Sequence, residues 1–166
     1  MNTEVIRRFF TFIILCLVQV LALNHVELFG CATPLLYVYF IMQFRKGFPK
    51  WALLLWSFSL GICIDIFSNT PGVAAASATF LGFLQPYLLN LFVPRDSADD
   101  ILPTMKSLGV ARYVYFTIIS VLVFNILFFT LEIFSFSGWL NWAWNICGST
   151  LLTVILILVI ENVRRH

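Results

Sequence analysis

All ten Lys and Arg residues of this chain fall into alternate gaps between its apolar runs. Arg7 and Arg8 precede the first run, and Arg45, Lys46 and Lys50 separate the second from the third. Arg95, Lys106 and Arg112 surround the fourth-to-fifth connection, and Arg164 and Arg165 follow the last run. The other three connections, near 24–33, 69–71 and 132–141, contain none. Positive charge resists transfer across a bilayer during insertion, so Lys and Arg collect in cytoplasmic loops. The split therefore predicts six membrane spans with both termini in the cytoplasm.

Composition agrees. Hydrophobic residues make up 61% of the chain and charged ones 11%, against roughly 25% charged in a soluble domain, and the mean hydropathy is +0.96. The expected fold class is all-α: a polytopic membrane protein forming one six-helix domain over 1–166. Six spans of ~20 residues leave almost nothing for a soluble domain. The net charge of +2 comes from the loops, so it argues orientation and not nucleic-acid binding. Residues 1–8 and the apolar run 9–23 have the outline of a signal peptide. Ala22-Leu23-Asn24 is a poor small-x-small cleavage site, however, and five more runs follow, so an uncleaved first span is expected. Cys16, Cys31, Cys63 and Cys147 have no ligand-like spacing, which argues against a metal or disulfide framework.

The second run, 33–44, is shorter than the ~20 residues a span normally needs and has the length of a re-entrant segment. The charges argue for a crossing, because Arg7/Arg8 and Arg45/Lys46 share a side only after an even number of passages. Pro34 suits a first helical turn. Further helices are predicted over 51–68, 72–93, 112–131 and 142–160. Asn69-Thr70-Pro71-Gly72 is a tight turn by residue type, 94–111 is the one long polar segment, and Trp139, Trp142 and Trp144 form an interfacial aromatic belt.

Polar residues inside the runs need partners. Asp65 is the only acidic residue within a span, ~21 Å from Trp51 at 1.5 Å per residue. Ser57, Gly61 and Asp65 recur every four residues and share one helix face, where small side chains let a neighbour approach closely. Asp65 reads either as a proton or ligand site, or as a structural carboxyl that locks the third and sixth spans or caps the turn at Asn69. A structural role of that kind would tolerate Asp65→Asn. Ala74, Ala78 and Gly82 form a second small-residue stripe, open to an internal helix or to another protein. Gln85 is placed to satisfy the carbonyl freed by Pro86. Asn141, Asn145, Ser149 and Thr153 form a polar stripe on the sixth span that should avoid lipid. It reads as packing or as the wall of a cavity, with Asp65–Asn145 the favoured interhelical hydrogen bond. Gln19 and Asn125 suit ordinary interhelical hydrogen bonds. Glu132 and Glu161 read as interfacial charges, Glu161 pairing with Arg164 or Arg165. His25 and Glu27 lack a third ligand for a metal. No activated nucleophile, acid–base pair, phosphate loop or cofactor motif is present, so neither an enzyme nor a cofactor is expected.

On these residues the chain resembles the rod-shape-determining protein MreD family. The likeness lies in the G-x-x-x-D-x-x-S run of Gly61, Asp65 and Ser68, continued through Pro71, Gly72 and the small residues up to Ser77. It extends to the opening stretch with Gln19, Leu21, Asn24, His25, Leu28 and Gly30, and to Leu81-Gly82-Phe83-Leu84-Gln85-Pro86-Tyr87. The resemblance implies a non-enzymatic scaffold of the bacterial cell-elongation complex in the inner membrane. Its partner would be an MreC-like bitopic protein, linked in turn to an MreB-like filament and to a RodA-type synthase with its class B penicillin-binding protein. That family is similar in fold to the substrate-binding subunits of energy-coupling-factor transporters, which supplies the rival reading of a small-molecule-binding subunit. Those subunits commonly carry A-x-x-x-A spacing in the first helix to dock the energising module. Here the first run has only Ala22, which favours the scaffold.

Overall fold

A computed structural model describes residues 2–21, 34–94, 100–133 and 138–165. Those residues form seven helices: α1 (Asn2–Leu21), α2 (Val38–Met42), α3 (Lys50–Ser68), α4 (Val73–Phe92), α5 (Met105–Leu108), α6 (Val110–Glu132) and α7 (Trp139–Arg165). No strand occurs among the described residues. Three of the helices, Lys50–Ser68, Val110–Glu132 and Trp139–Arg164, are long and apolar enough to cross a membrane. Large apolar side chains point outward along them, including Ile66 at 72% exposure and Leu151 at 63%. Outward-facing apolar surface on this scale belongs to a protein whose solvent is lipid. The chain is a helical membrane protein.

Helices α3, α4, α6 and α7 pack in chain order, and α1 packs on α3. The segment 34–45, which contains α2, lies inside this arc. Every residue of α2 is buried, and Tyr37, Val38 and Ile41 have no exposed surface.

The expectation of a helical second span over 33–44 is corrected here. Only five residues are helical, and the reason is length. Pro34 sits beside Gln19 and Arg45 beside Glu4, so the segment runs antiparallel to α1 over fifteen residues of it, or ~22 Å at 1.5 Å per residue. A continuous helix of the same eleven steps would reach only ~16 Å. More open backbone at both ends of α2 covers the difference. The segment carries the chain back to the Glu4 end of α1.

The other boundaries differ from expectation by a few residues at most sites. α1 starts well before residue 9, so that Glu4, Arg7 and Arg8 lie on its first turns, and α7 extends beyond 160 to Arg165. The turn at 69–72 forms as its residue types require. Asn69 takes a left-handed conformation (φ 56°) with its N–H on the Asp65 carbonyl, and Gly72 follows at φ 83°. Pro103 and the capping box of Thr104 and Ser107 lead into α5. The readings at Ala22, His25, Glu27, Cys31, Arg95, Asp96 and Asp99 lie outside the described residues.

Candidate functional site

Three groups of polar residues organise the bundle. The first joins α3 to α4. Asp65 stands in the last turn of α3, where the negative end of its own helix dipole disfavours a carboxylate. It is 7% exposed and accepts three hydrogen bonds of 2.9 Å. Thr70 Oγ1 and the Ala74 N–H donate to Oδ1, and the Ala75 N–H donates to Oδ2. Ala74 and Ala75 belong to the first turn of α4, whose N-cap Gly72 has no side chain to offer. A carboxylate from the preceding helix therefore supplies the cap that α4 lacks, at the end where the helix dipole favours negative charge.

The expected Asp65–Asn145 bond is corrected by this geometry. Both carboxylate oxygens are engaged on α4, and Asn145 lies half-buried on α7 without a part in the cluster. Asn141 is exposed, whereas Ser149 and Thr153 are fully buried. The four-residue stripe on α7 thus goes inward only in its second half.

The two small-residue stripes are opposite walls of one seam. A methyl group on Gly61 would overlap the Ala75 Cα and stand 2.7 Å from the Ala74 carbonyl oxygen. One on Gly82 would stand 2.5 Å from Ser57 Oγ. Ala74, Ala78 and Ser57 have no exposed surface. The partner of the Ala74–Ala78–Gly82 stripe is therefore the Ser57–Gly61–Asp65 face of α3. Antiparallel packing follows from the four-residue turn between the two helices, since chain neighbours joined by short connections pack together.

The second group clamps the inner segment. Open backbone in a bundle interior leaves amide groups that no water can satisfy, and it is tolerated only where protein supplies partners. Gln19 on α1 supplies two: its Nε2 donates to the Pro34 carbonyl (3.0 Å) and its Oε1 accepts from the Leu36 N–H (2.9 Å). Thr153 Oγ1 on α7 accepts from the Leu35 N–H at 3.1 Å. Gln85 Nε2 on α4 donates to the Phe44 carbonyl at 2.9 Å. Gln85 therefore holds the far end of the inner segment, correcting the expectation that it serves the carbonyl freed by Pro86. Gln19 likewise bonds backbone, that of Pro34 and Leu36. Glu161 is buried at 4% exposure and accepts from the Tyr39 hydroxyl at 2.6 Å. Arg164 reaches that hydroxyl as well, at 3.5 Å.

Only Asn125 behaves as its type suggested. It donates to Thr150 Oγ1 at 2.9 Å between α6 and α7, while its own Oδ1 and the hydroxyls of Tyr37, Ser77 and Ser120 are buried without a partner. The sequence signal for the clamps was present but unread. A run too short to span, led by Pro34, implies open backbone and hence amide side chains at matching depths.

The third group is the basic end. Arg45 pairs with Glu4 and, at 3.7 Å, with Asp100. Arg8 lies 3.9 Å from Glu4, with its guanidinium 4.3 Å from the Phe48 ring centre and 5.0 Å from that of Phe44. Lys50 donates to the Tyr87 hydroxyl at 3.2 Å, and the Lys46 N–H bonds the Ile101 carbonyl at 3.0 Å. A cavity of about 230 Å³ opens between these groups, lined by Arg7, Arg8, Arg45 and Arg164 among others. Among the described residues, no three His, Cys, Asp or Glu side chains converge as a metal site would need.

No family model matches this chain, and no curated protein or solved structure matches it either.

Proposed function

We propose that the chain is a non-enzymatic scaffold of the bacterial cell-elongation machinery, with six crossings of the inner membrane and both termini cytoplasmic. It would bind an MreC-like bitopic protein and, through it, an MreB-like filament and a RodA-type synthase, helping to maintain cell shape and lateral peptidoglycan synthesis. The sequence resemblance suggests this role. The observation that favours it over a small-molecule-binding transporter subunit is the filled interior. Tyr37, Val38, Phe40 and Ile41 occupy the space between α1, α4 and α6 with 2% exposure or less, where a binding subunit would keep room for its ligand. Asp65, the residue most suggestive of chemistry, spends both oxygens on capping α4. The six-crossing topology is supported by Arg7, Arg8, Arg45 and Arg164 meeting around one cavity.

The test is purification from native membranes followed by mass spectrometry of bound proteins and small molecules. Stoichiometric recovery of a bitopic MreC-like partner is expected. A retained vitamin together with an ATPase module would overturn the scaffold in favour of transport.

A further inference from the structure

The cavity at the basic end has a composition that packing alone does not explain. Four guanidinium groups, those of Arg7, Arg8, Arg45 and Arg164, line it against two carboxylates, Glu4 and Asp100. Both carboxylates are committed to Arg45, and Glu4 is only distantly shared with Arg8 at 3.9 Å. Arg8 Nη1 is buried without a hydrogen-bond partner, the only charged group among the described residues of which this holds. That guanidinium packs on the Phe44 and Phe48 rings and belongs to a residue that lines the cavity, so it places a cation with unfilled hydrogen-bonding capacity beside the space an anion would occupy. The planar guanidinium fork matches the oxygens of a phosphate, and phosphate recognition commonly draws on several such forks.

The surroundings indicate what carries the phosphate. A second cavity shares Glu4, Arg8 and Arg45 with the first and is walled by Val5, Phe48 and Trp56. A polar pocket adjoining one with Val5, Phe48 and Trp56 in its wall suits a headgroup joined to an acyl chain. Basic pockets between helices at this depth are a known means of holding anionic headgroups.

We infer that this cavity binds a phosphate ester, Arg8 and Arg164 contacting its oxygens and Arg7 adding charge at the rim, with an anionic membrane lipid as its source. Arg45 is a positioning residue, since Glu4 and Asp100 hold it. Gln43, which also lines the cavity, provides a neutral amide donor. The inference does not depend on the scaffold reading, because a transporter subunit with this end would bind the same group.

The test uses the full chain in mild detergent, offered phosphatidylglycerol or phosphatidylcholine and examined by native mass spectrometry. Wild type should retain one phosphatidylglycerol in preference to phosphatidylcholine. Arg7→Ala with Arg164→Ala should lower that retention at least tenfold, while Lys106→Ala with Arg112→Ala, exposed cations outside the cavity lining, should leave it unchanged. Removing Arg8 altogether also removes its packing on Phe44 and Phe48, so Arg8→Lys is the sharper probe. It keeps the charge but loses the fork, and should lower retention several-fold without changing the elution profile. A parallel thermal melt with inorganic phosphate separates the two sources. Stabilisation by millimolar phosphate with no preference between the lipids would keep the phosphate site but assign it to a soluble ester. Equal losses in the cavity and control pairs, or no response to either lipid or phosphate, would overturn the inference.

Discussion

The α3–α4 hairpin and the inner segment 34–45 solve the same problem in opposite ways. Each must bury backbone away from water, and each uses polar side chains to do it. In the hairpin the backbone is regular, so only the helix ends need help, and Asp65 with Thr70 supplies it from nine or ten residues away. In the inner segment the backbone is irregular, and help comes from Gln19, Gln85 and Thr153 on three different helices, at separations of up to 118 residues. A local solution can form as a unit before the rest of the bundle is in place. The distributed one cannot exist until α1, α4 and α7 have assembled around it. The hairpin should therefore be the more autonomous region, and the inner segment the one that reports on global assembly.

The most severe way to break the hairpin is Gly61→Leu. The obstacle to any side chain there is the backbone of Ala74 and Ala75, which has no rotamer to adopt. Overpacking typically costs about 1–3 kcal/mol even where side chains can move aside, so the variant should lose its monodisperse peak in size-exclusion chromatography. Gly82→Ala should be milder, because its nearest obstacle is the hydroxyl of Ser57, which can rotate at the expense of its 2.8 Å bond to the Leu53 carbonyl, leaving the 3.0 Å approach to Ser57 Cβ to be relieved by a small shift. Equal effects at the two glycines would show that seam spacing, and not contact with backbone, sets the tolerance.

Asp65 comes next. Asp65→Ala leaves the Ala74 and Ala75 N–H groups unsatisfied, and hydrogen bonds to a charged acceptor are worth about 1.5–3 kcal/mol each, with part of the loss recovered by relaxation. Asparagine offers one acceptor oxygen, and its amide nitrogen would face a donor. The tolerance of Asp65→Asn expected from sequence is therefore withdrawn, and a loss of about 1–2 kcal/mol is predicted for it. Thermal melts in detergent should rank wild type above Asn and Asn at or above Ala. A fully stable Asn variant would mean that one oxygen suffices to cap α4.

For the inner segment, Gln19→Leu removes partners from two backbone groups and Gln85→Leu from one. At about 1–3 kcal/mol for each buried group left unsatisfied, Gln19→Leu should lower the melting temperature more than Gln85→Leu. Hydrogen exchange sharpens the comparison. Gln19→Leu should raise exchange at Leu36 while leaving Ala74 and Ala75 protected, and Asp65→Ala should do the reverse. Exchange rising at both places in both variants would show one cooperative unit and erase the distinction.

The smallest effect is expected outside both regions. Asp100 is highly exposed, and surface ion pairs contribute little, about 0–1 kcal/mol. Asp100→Lys should leave the melting temperature unchanged within error, despite its 3.7 Å approach to Arg45.

How much could be read in advance tracks the same division. The third and fourth helices, the turn between them and the two small-residue stripes are all visible in the spacing of Gly, Ala, Ser and Pro, because they arise from interactions within a few turns of one another. That the stripes face each other could have been argued from the shortness of the turn. The expectation instead sent Asp65 to Asn145 because the two lie at similar depth, and depth alone does not choose between helices at the same level. For 34–45 the apolar count suggested a helix, and only the distance it must cover inside the bundle made that impossible.

By itself, then, the sequence determined that this chain is helical and lipid-facing, where its turns fall, and that its basic residues alternate between connections. Hydropathy, charge and turn chemistry are properties of the local chain, and a membrane reads them one segment at a time. The tertiary structure alone decided which helix receives the Asp65 carboxylate, that Gln19, Gln85 and Thr153 bond backbone and not one another, that Glu161 is buried against Tyr39, and that four arginines converge on one cavity. Each of these is a choice among partners of equal chemistry. Such choices are settled by which groups packing brings within 3 Å, and an unpaired polar group in a dry interior is costly enough to make that choice binding.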